Sequence, residues 1–278
     1  MIDLHTHTTE SDGSLSPEEL TRLASARGLE ALAITDHDTL AGFDRAAPLA
    51  AELGLELVCG IEMSTKHEGR SVHLIGYFFS GAPAREFREW IVCLQESRHA
   101  RNQELIEKLK TMGFEISQEE LRQQGTPLPG RPHFARLMVE KGYVDSMQQA
   151  FDRYLDESAC CYIPRGEPSF AEAVERIGLS GGVSSFPHPG RVTRDAARLR
   201  KILAGMRETG LNAVEVFHSE NSPAESDLYA SLAAELGFRI SGGSDFHGAT
   251  KPGIELGSGS GGNLCIPYSV LERLRRSA

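Results

Sequence analysis

Short apolar runs alternate with amphipathic segments along most of the chain, and glycine closes several of those segments. Residues 30–35, 55–61 and 71–79 read as strands, and an apolar run at the very start leads into His5 and His7. Ser16-Pro17-Glu18-Glu19 carries a capping-box serine, proline at the first helical position and glutamate at the third, so a helix is predicted to about residue 27, stopping at Gly28. An alanine-rich helix follows from about residue 40 to Gly54. From about residue 83 to 165 the rhythm changes. No strand pattern occurs there, and helices are expected near 87–112, 118–123, 132–140 and 147–154. Alternation then resumes: helices near 170–177, 195–208 and 223–236, strands at 182–186, 213–217 and 238–241, and a Gly/Ser stretch at 257–262 before a last short strand and a terminal helix.

Seven strands alternating with helices predict a parallel sheet. One interruption in seven units fits a β/α barrel better than the alternative, a doubly wound sheet. The expected organisation is a barrel formed by residues 1–82 and 166–278, with a helical insertion at 83–165.

The polar residues gain meaning from this frame. His5 and His7 lie two apart, so on a strand they share a side and converge on one point, with the Asp12 carboxylate five residues on. Neutral imidazoles and a carboxylate suit a divalent transition metal. His37 follows the second predicted strand, Glu62 the third, His188 the fifth, His218 the sixth, and Asp245 and His247 the seventh. Carboxyl-end loops of a parallel barrel open onto one face, where such residues meet and build a polynuclear metal site. His73 lies inside the fourth strand and is the exception in position. His67, beside Glu68 and Gly69, reads as an exposed turn residue. Asp3, Asp36 and Asp38 flank these positions and are expected to orient or cap rather than ligate.

Composition narrows the partners. A formal net charge of −10 argues against broad binding to duplex nucleic acid or membranes. It leaves an anionic small molecule open, because bound cations reverse the local sign. No apolar run is long enough to span a bilayer, and the N-terminus lacks the basic flank and apolar core of a signal peptide. Five cysteines without CxxC spacing, an odd number that includes the adjacent pair Cys160-Cys161, read as reduced thiols of a cytoplasmic protein.

The motifs HTHTTESDG, ITDHD, GIE, HPGR and SDFHG, in this order, resemble the polymerase-and-histidinol-phosphatase (PHP) family of metal-dependent phosphoesterases. The resemblance implies a distorted seven-stranded β/α barrel with a trinuclear centre. Carried onto matching positions, it implies His5, His7, Glu62 and Asp245 around one metal, Glu62 bridging to a second held with His73 and His188, and Asp12, His37 and His247 around a third. Mixed nitrogen and oxygen ligands suit Mn²⁺ first, with Fe²⁺ or Zn²⁺ as alternatives.

Within the family, the helical insertion resembles that of the nucleoside 3',5'-bisphosphate phosphatases, through Glu96-Ser-Arg-His-Ala-Arg101-Asn102, Gly130-Arg-Pro-His133-Phe-Ala-Arg136, Ala150-Phe-Asp-Arg-Tyr-Leu and Tyr162-Ile-Pro-Arg165. This implies removal of the 3'-phosphate from 3',5'-bisphosphonucleotides. The alternatives are 5'-3' trimming of short RNA, histidinol-phosphate hydrolysis and, from another class, a non-enzymatic metal-stabilised domain.

The expected chemistry follows. Three divalent cations against three ligand carboxylates leave the site at roughly +3, which attracts a phosphate ester despite the acidic protein. A hydroxide bridging two metals near Glu62 is the expected nucleophile, with the ligand Asp245 counted in the catalytic set. His218, not needed as a ligand, is expected to protonate the leaving oxygen. A second phosphate needs its own donors, and Arg98, Arg101, Asn102, Arg131, His133, Arg165 and Arg191 are the candidates.

Overall fold

The computed structural model describes residues 1–124, 126–164 and 166–276. The chain divides into two compact units, Met1–Glu89 with Glu167–Ala278, and Trp90–Gly166. In chain order the elements are β1 (Ile2–Asp3), α1 (Pro17–Ala26), β2 (Ala31–Ile34), α2 (Ala41–Leu53), β3 (Glu56–His67), β4 (Arg70–Phe78), α3 (Arg85–Thr111), α4 (Gln118–Arg122), α5 (Arg131–Glu140) and α6 (Met147–Ala150). After one π-helical turn at Phe151–Leu155 come α7 (Phe170–Leu179), β5 (Val183–Phe186), α8 (Ala196–Glu208), β6 (Ala213–His218), α9 (Pro223–Leu236), β7 (Arg239–Gly243), β8 (Ile254–Glu255), β9 (Gly259–Ser260) and α10 (Tyr268–Arg275).

The seven strands of the first unit stand in sequential order β1 to β7. The sheet nearly closes on itself: Leu4 N donates to Gly242 O at 3.3 Å, and Thr6 bridges Phe246 in parallel. This is the distorted seven-stranded α/β barrel expected from the alternation and the resemblance.

Not every pairing is parallel, however. β4 runs antiparallel to both β3 and β5. Its register with β3 pairs His67 with Arg70 around the two-residue loop Glu68-Gly69, whose φ angles of 48° and 78° are those of a tight hairpin turn. No helix fits into two residues, so the crossover that a parallel pair requires is absent here. The reversal also accounts for His73. The carboxyl end of β3 and the amino end of β4 are the same end of the barrel, so a residue early in β4 sits where the other strands present their ends.

Two further expectations change. His67 is the last residue of β3, half-buried and edge-on to Phe170 at 5.5 Å, rather than an exposed turn residue. The Gly/Ser stretch contributes to a small antiparallel hairpin, β8 with β9, and among the described residues no strand follows it. In its place Ile266 lends its carbonyl to Ile2 N at 3.0 Å and buries its side chain among Ile2, Leu4 and Leu274.

The strand pattern sorts the core by size. Ala31 and Ala33 join Ile2, Leu4, Val58, Ile75 and Tyr77 in one cluster, while the alternate residues Leu32 and Ile34 pack with Leu20, Ala24 and Ala46 of α1 and α2. α1 begins as expected, with Ser16 accepting from Glu19 N and the Glu19 carboxylate accepting from Ser16 N. The second unit has its own core, in which Leu105, Leu109, Phe134, Met138, Leu155 and Cys161 are buried together. Among the described residues no helix is long and apolar enough to cross a membrane.

Candidate metal centre

The loop after β1 carries His5 and His7, both fully buried. The loop after β7 runs beside it: Asp245 N donates to His5 O at 2.8 Å and His7 N to Phe246 O at 2.9 Å. That approach needs a glycine at position 243, where a Cβ would lie 2.3 Å from His5 N. His37, beyond β2, forms a parallel bridge with Glu62 of β3. The flanking aspartates hold these loops. Asp3 accepts from Ser244 N and Oγ and from Gly257 N, at 2.8, 2.6 and 2.8 Å. Asp36 takes Thr8 N at 2.7 Å and Ser11 Oγ at 2.6 Å, and Asp38 takes Ser64 N at 2.8 Å.

Glu62 is the hub. Its Oε2 lies 3.2, 3.1 and 3.3 Å from His5 Nε2, His7 Nε2 and His37 Nδ1, and its Oε1 lies 2.8 and 2.9 Å from His73 Nδ1 and His188 Nε2. Asp245 Oδ1 faces His5 Nε2, His7 Nε2 and His247 Nδ1 at 3.5, 3.4 and 3.5 Å. Asp12 faces His7 Nδ1 at 3.6 Å, His37 Nε2 at 3.7 Å and His247 Nε2 at 3.3 Å. The rings of His7 and His247 stack with centroids 4.1 Å apart. All nine residues nominated from the motifs therefore gather at one end of the barrel. Two of them, His188 and Asp245, adopt left-handed φ angles of 33° and 57°. Such backbone persists where neighbouring bonds over-determine it, which is common at functional sites.

Burial alone would raise the carboxyl groups of Asp12, Glu62 and Asp245, yet the surrounding histidines hold all three well below the usual range. The histidines split. Burial disfavours charge on His7, but the close carboxylates of Asp245, Glu62 and Asp12 outweigh it and raise the ring to about 10. Burial prevails at His37 and His188, which fall to about 3 and about 4 despite Glu62.

The donor set fits cations. His7 Nε2, His37 Nδ1 and His73 Nδ1 are buried without an aligned hydrogen bond, although Glu62 oxygens lie close to each. Rings that approach a carboxylate out of hydrogen-bond alignment direct lone pairs and oxygens at shared points, as ligands do. Ligand atoms lie within 4.8 Å of one another in several overlapping groups, among them His7 with Asp12, His37 and His247, His5 with His7 and Asp245, His5 with Glu62 and His188, and His37 with Glu62 and His73.

His218, buried beyond β6, accepts from Glu220 N at its Nδ1 (3.2 Å), so in its neutral form the proton sits on Nε2, 3.4 Å from Asp245 Oδ2. Arg191 Nη2 and Lys251 Nζ each reach the same Asp245 oxygen at 2.7 Å, and both also pair with Glu220. Lys251, Glu220 and Glu215 are absent from the sequence-based nominations. Glu215 offered a signal, an acidic residue in the middle of the apolar run 213–217. Lys251 lies in a loop without pattern, and only the folded chain brings it to Asp245.

The remaining nominated residues belong to the second unit. Arg98 Nε and Asn102 Nδ2 both donate to Pro129 O, at 3.3 and 2.8 Å. Arg131 Nη1 donates to Leu155 O at 3.2 Å, with its guanidinium 5.6 Å from the Tyr162 ring centroid. His133 Nδ1 accepts from Gly130 N at 3.1 Å, and Arg101 is buried. Arg165 lies outside the described residues.

Imidazoles and carboxylates gathered at the mouth of a β/α barrel define a metal-dependent hydrolase. The chain belongs to the PHP family: the PHP domain model matches residues 3–156. It is 36% identical to the 5'-3' exoribonuclease Rnm of Escherichia coli, over 97% of this chain and 91% of that one. It is 31% identical to the 3',5'-nucleoside bisphosphate phosphatase of Chromobacterium violaceum, over 92% of this chain and 90% of that one. A solved structure from Bifidobacterium adolescentis, assigned as a metal-dependent phosphoesterase, superposes with a TM-score of 0.81 at 31% identity, covering 100% of this chain and 96% of that one. The chain is a PHP-family phosphoesterase.

Proposed function

We propose that this phosphoesterase removes the 3'-phosphate of 3',5'-bisphosphonucleotides, releasing the nucleoside 5'-monophosphate. The observation that carries the reading is the cationic pair Arg191 and Lys251 standing beside the Glu62 and Asp245 cluster. It supports recognition of a substrate more anionic than a simple monoester. The phosphatase relative from C. violaceum supports the same choice. The residues that would hold the ions are His5, His7, Glu62 and Asp245 for one, Glu62, His73 and His188 for a second, and Asp12, His37 and His247 for a third. When bound, divalent ions such as Mn²⁺, Fe²⁺ or Zn²⁺ polarise the phosphoryl group and acidify water at neutral pH.

The chain's own groups supply the rest. Arg191 and Lys251 take up phosphate charge, and Glu220, held near a pKa of about 2 by both cations although burial opposes it, keeps them oriented until an anion arrives. His218 presents its Nε2–H as a hydrogen-bond donor to the departing 3'-oxygen. Arg98, Arg101, Asn102, Arg131, His133 and Arg165 of the helical segment are proposed to bind the second phosphate.

A second reading, 5'-3' exoribonuclease on short RNA, is favoured by the E. coli relative and its 36% identity. Both reactions break the bond between phosphorus and the 3'-oxygen of a 5'-phosphorylated nucleotide; they differ in what remains on the phosphorus. The test is kcat/KM for adenosine 3',5'-bisphosphate against 5'-phosphorylated di- and triribonucleotides, with Mn²⁺ added. The bisphosphate should be preferred; a preference for the trinucleotide overturns the first reading for the second. Binding of the second phosphate by the helical segment predicts a higher KM for the bisphosphate in Arg101→Ala and Arg131→Ala, and unchanged values would end that assignment.

A further inference from the structure

We propose that Glu215 is a positioning residue for the metal centre: one carboxylate fixes both the tautomer of His5 and the backbone of His188. The inference rests on the metal-centre reading given above.

Glu215 is fully buried within β6, between Val214 and Val216, where a carboxylate without partners would be costly. Its two oxygens have separate tasks. Oε1 lies 2.9 Å from His5 Nδ1, and Oε2 accepts from His188 N at 2.7 Å. The pairing of β6 with β7 shifts register between Glu215 and Phe217, an irregularity of the kind that re-aims side chains beside active sites.

A carboxylate accepts and does not donate, so His5 must carry a proton on Nδ1. In the neutral ring Nε2 is then a lone pair, and it faces Glu62 Oε2 at 3.2 Å and Asp245 Oδ1 at 3.5 Å. Three lone-pair-bearing atoms at that range repel unless a proton or a metal cation lies among them, and it is the metal that takes the place of that proton on loading. The second oxygen works on the opposite wall. His188 holds a left-handed φ of 33°, and the Glu215 bond anchors its N–H so that its Nε2 stands 2.9 Å from Glu62 Oε1. One residue thus aims two histidines, from loops far apart in sequence, at the same Glu62 carboxylate.

Glu215→Gln separates this role from packing. The amide has the same shape but one acceptor and one donor. If its oxygen stays with His188 N, its NH₂ donates to His5 Nδ1 and moves the ring proton to Nε2, the atom that should bind metal. If the amide flips, NH₂ meets the His188 N–H, donor against donor. Neither arrangement keeps both histidines in place, and an Asn-for-Asp change beside a catalytic histidine acts through the same tautomer logic.

The experiment uses the full chain stripped with chelator, titrated with Mn²⁺, with ¹⁵N-histidine NMR as a readout independent of turnover. Wild type should show His5 with Nδ1 protonated. Glu215→Gln should melt close to wild type, show His5 protonated on Nε2 or His188 displaced, and bind Mn²⁺ about 10- to 100-fold more weakly. Glu215→Asp, which keeps both acceptors, should restore the Nδ1-protonated ring and recover at least half of the lost affinity on a logarithmic scale. Should Glu215→Gln fail to fold, the ring signature and Mn²⁺ affinity of Glu215→Asp decide alone: an Nε2-protonated His5, or affinity lowered 100-fold or more, overturns the proposal. Wild-type tautomer, His188 signals and Mn²⁺ affinity in a folded Glu215→Gln overturn it as well. Failure of wild type itself to bind Mn²⁺ is a different result and removes the metal-centre reading beneath it.

Discussion

Metal loading should release protons, and the amount follows from the geometry. In chelated protein the carboxylates of Glu62, Asp245 and Asp12 hold His7 protonated up to about pH 10, and His5 is raised well above its usual range against the pull of burial. Binding a cation requires each ring to give up the proton on its ligating nitrogen. For His7 at pH 7 the cost is three pKa units, about 4 kcal/mol that the metal must overcome. The sign is set by the raised values: His7 is charged below about 10 and His5 is raised well above its usual range, so acidification weakens loading and alkalinisation strengthens it. With His5 and His7 both discharged, and His73 also raised by Glu62 against burial, at least two protons should leave at pH 7, and the apparent Mn²⁺ association constant should fall about 100-fold or more from pH 7 to pH 6. His37 and His188, at about 3 and about 4, are already neutral there and contribute nothing. Calorimetric titration with Mn²⁺ in two buffers of different ionisation enthalpy measures the proton count directly. Release of fewer than one proton at pH 7, or affinity independent of pH between 6 and 8, would refute the electrostatic picture of the cluster.

Other consequences are as specific. Gly243→Ala places a Cβ 2.3 Å from both His5 N and His5 Cβ, backbone-bound atoms with no room to yield, so it should cost about 1–3 kcal/mol and weaken Mn²⁺ binding; a melting curve unchanged from wild type contradicts this. Lys251→Ala removes a charged contact beside Asp245 and should raise KM for the bisphosphate about 10-fold, with Mn²⁺ stoichiometry intact. Steady-state kinetics showing a fall in kcat alone would reassign Lys251. His218→Asn should lower kcat about 100-fold or more at unchanged Mn²⁺ affinity, in line with loss of the hydrogen-bond donor to the departing oxygen. Loss of a metal equivalent in that variant would instead make His218 a ligand.

What the sequence determined by itself is the periodic part of the protein. Capping at Ser16, the closing glycines and the strand–helix rhythm depend on contacts within a few residues, and they place α1, α2 and most strands correctly. Histidines and acids at strand ends likewise mark one face of the barrel, because strand order converts local position into shared location. Tertiary structure alone decided three matters. The direction of β4 turned on a two-residue hairpin, and with it the reason that His73 reaches Glu62 from inside a strand. The partners of Asp245 came from Arg191 and Lys251, 54 and 6 residues away, through loops that carry no periodic signal. Finally, Glu215 reads in sequence as one acid in an apolar run. Its meaning comes from being sealed between His5 and His188, 210 and 27 residues distant, where a single carboxylate must satisfy both. Burial makes that demand, and burial is a property of the folded chain.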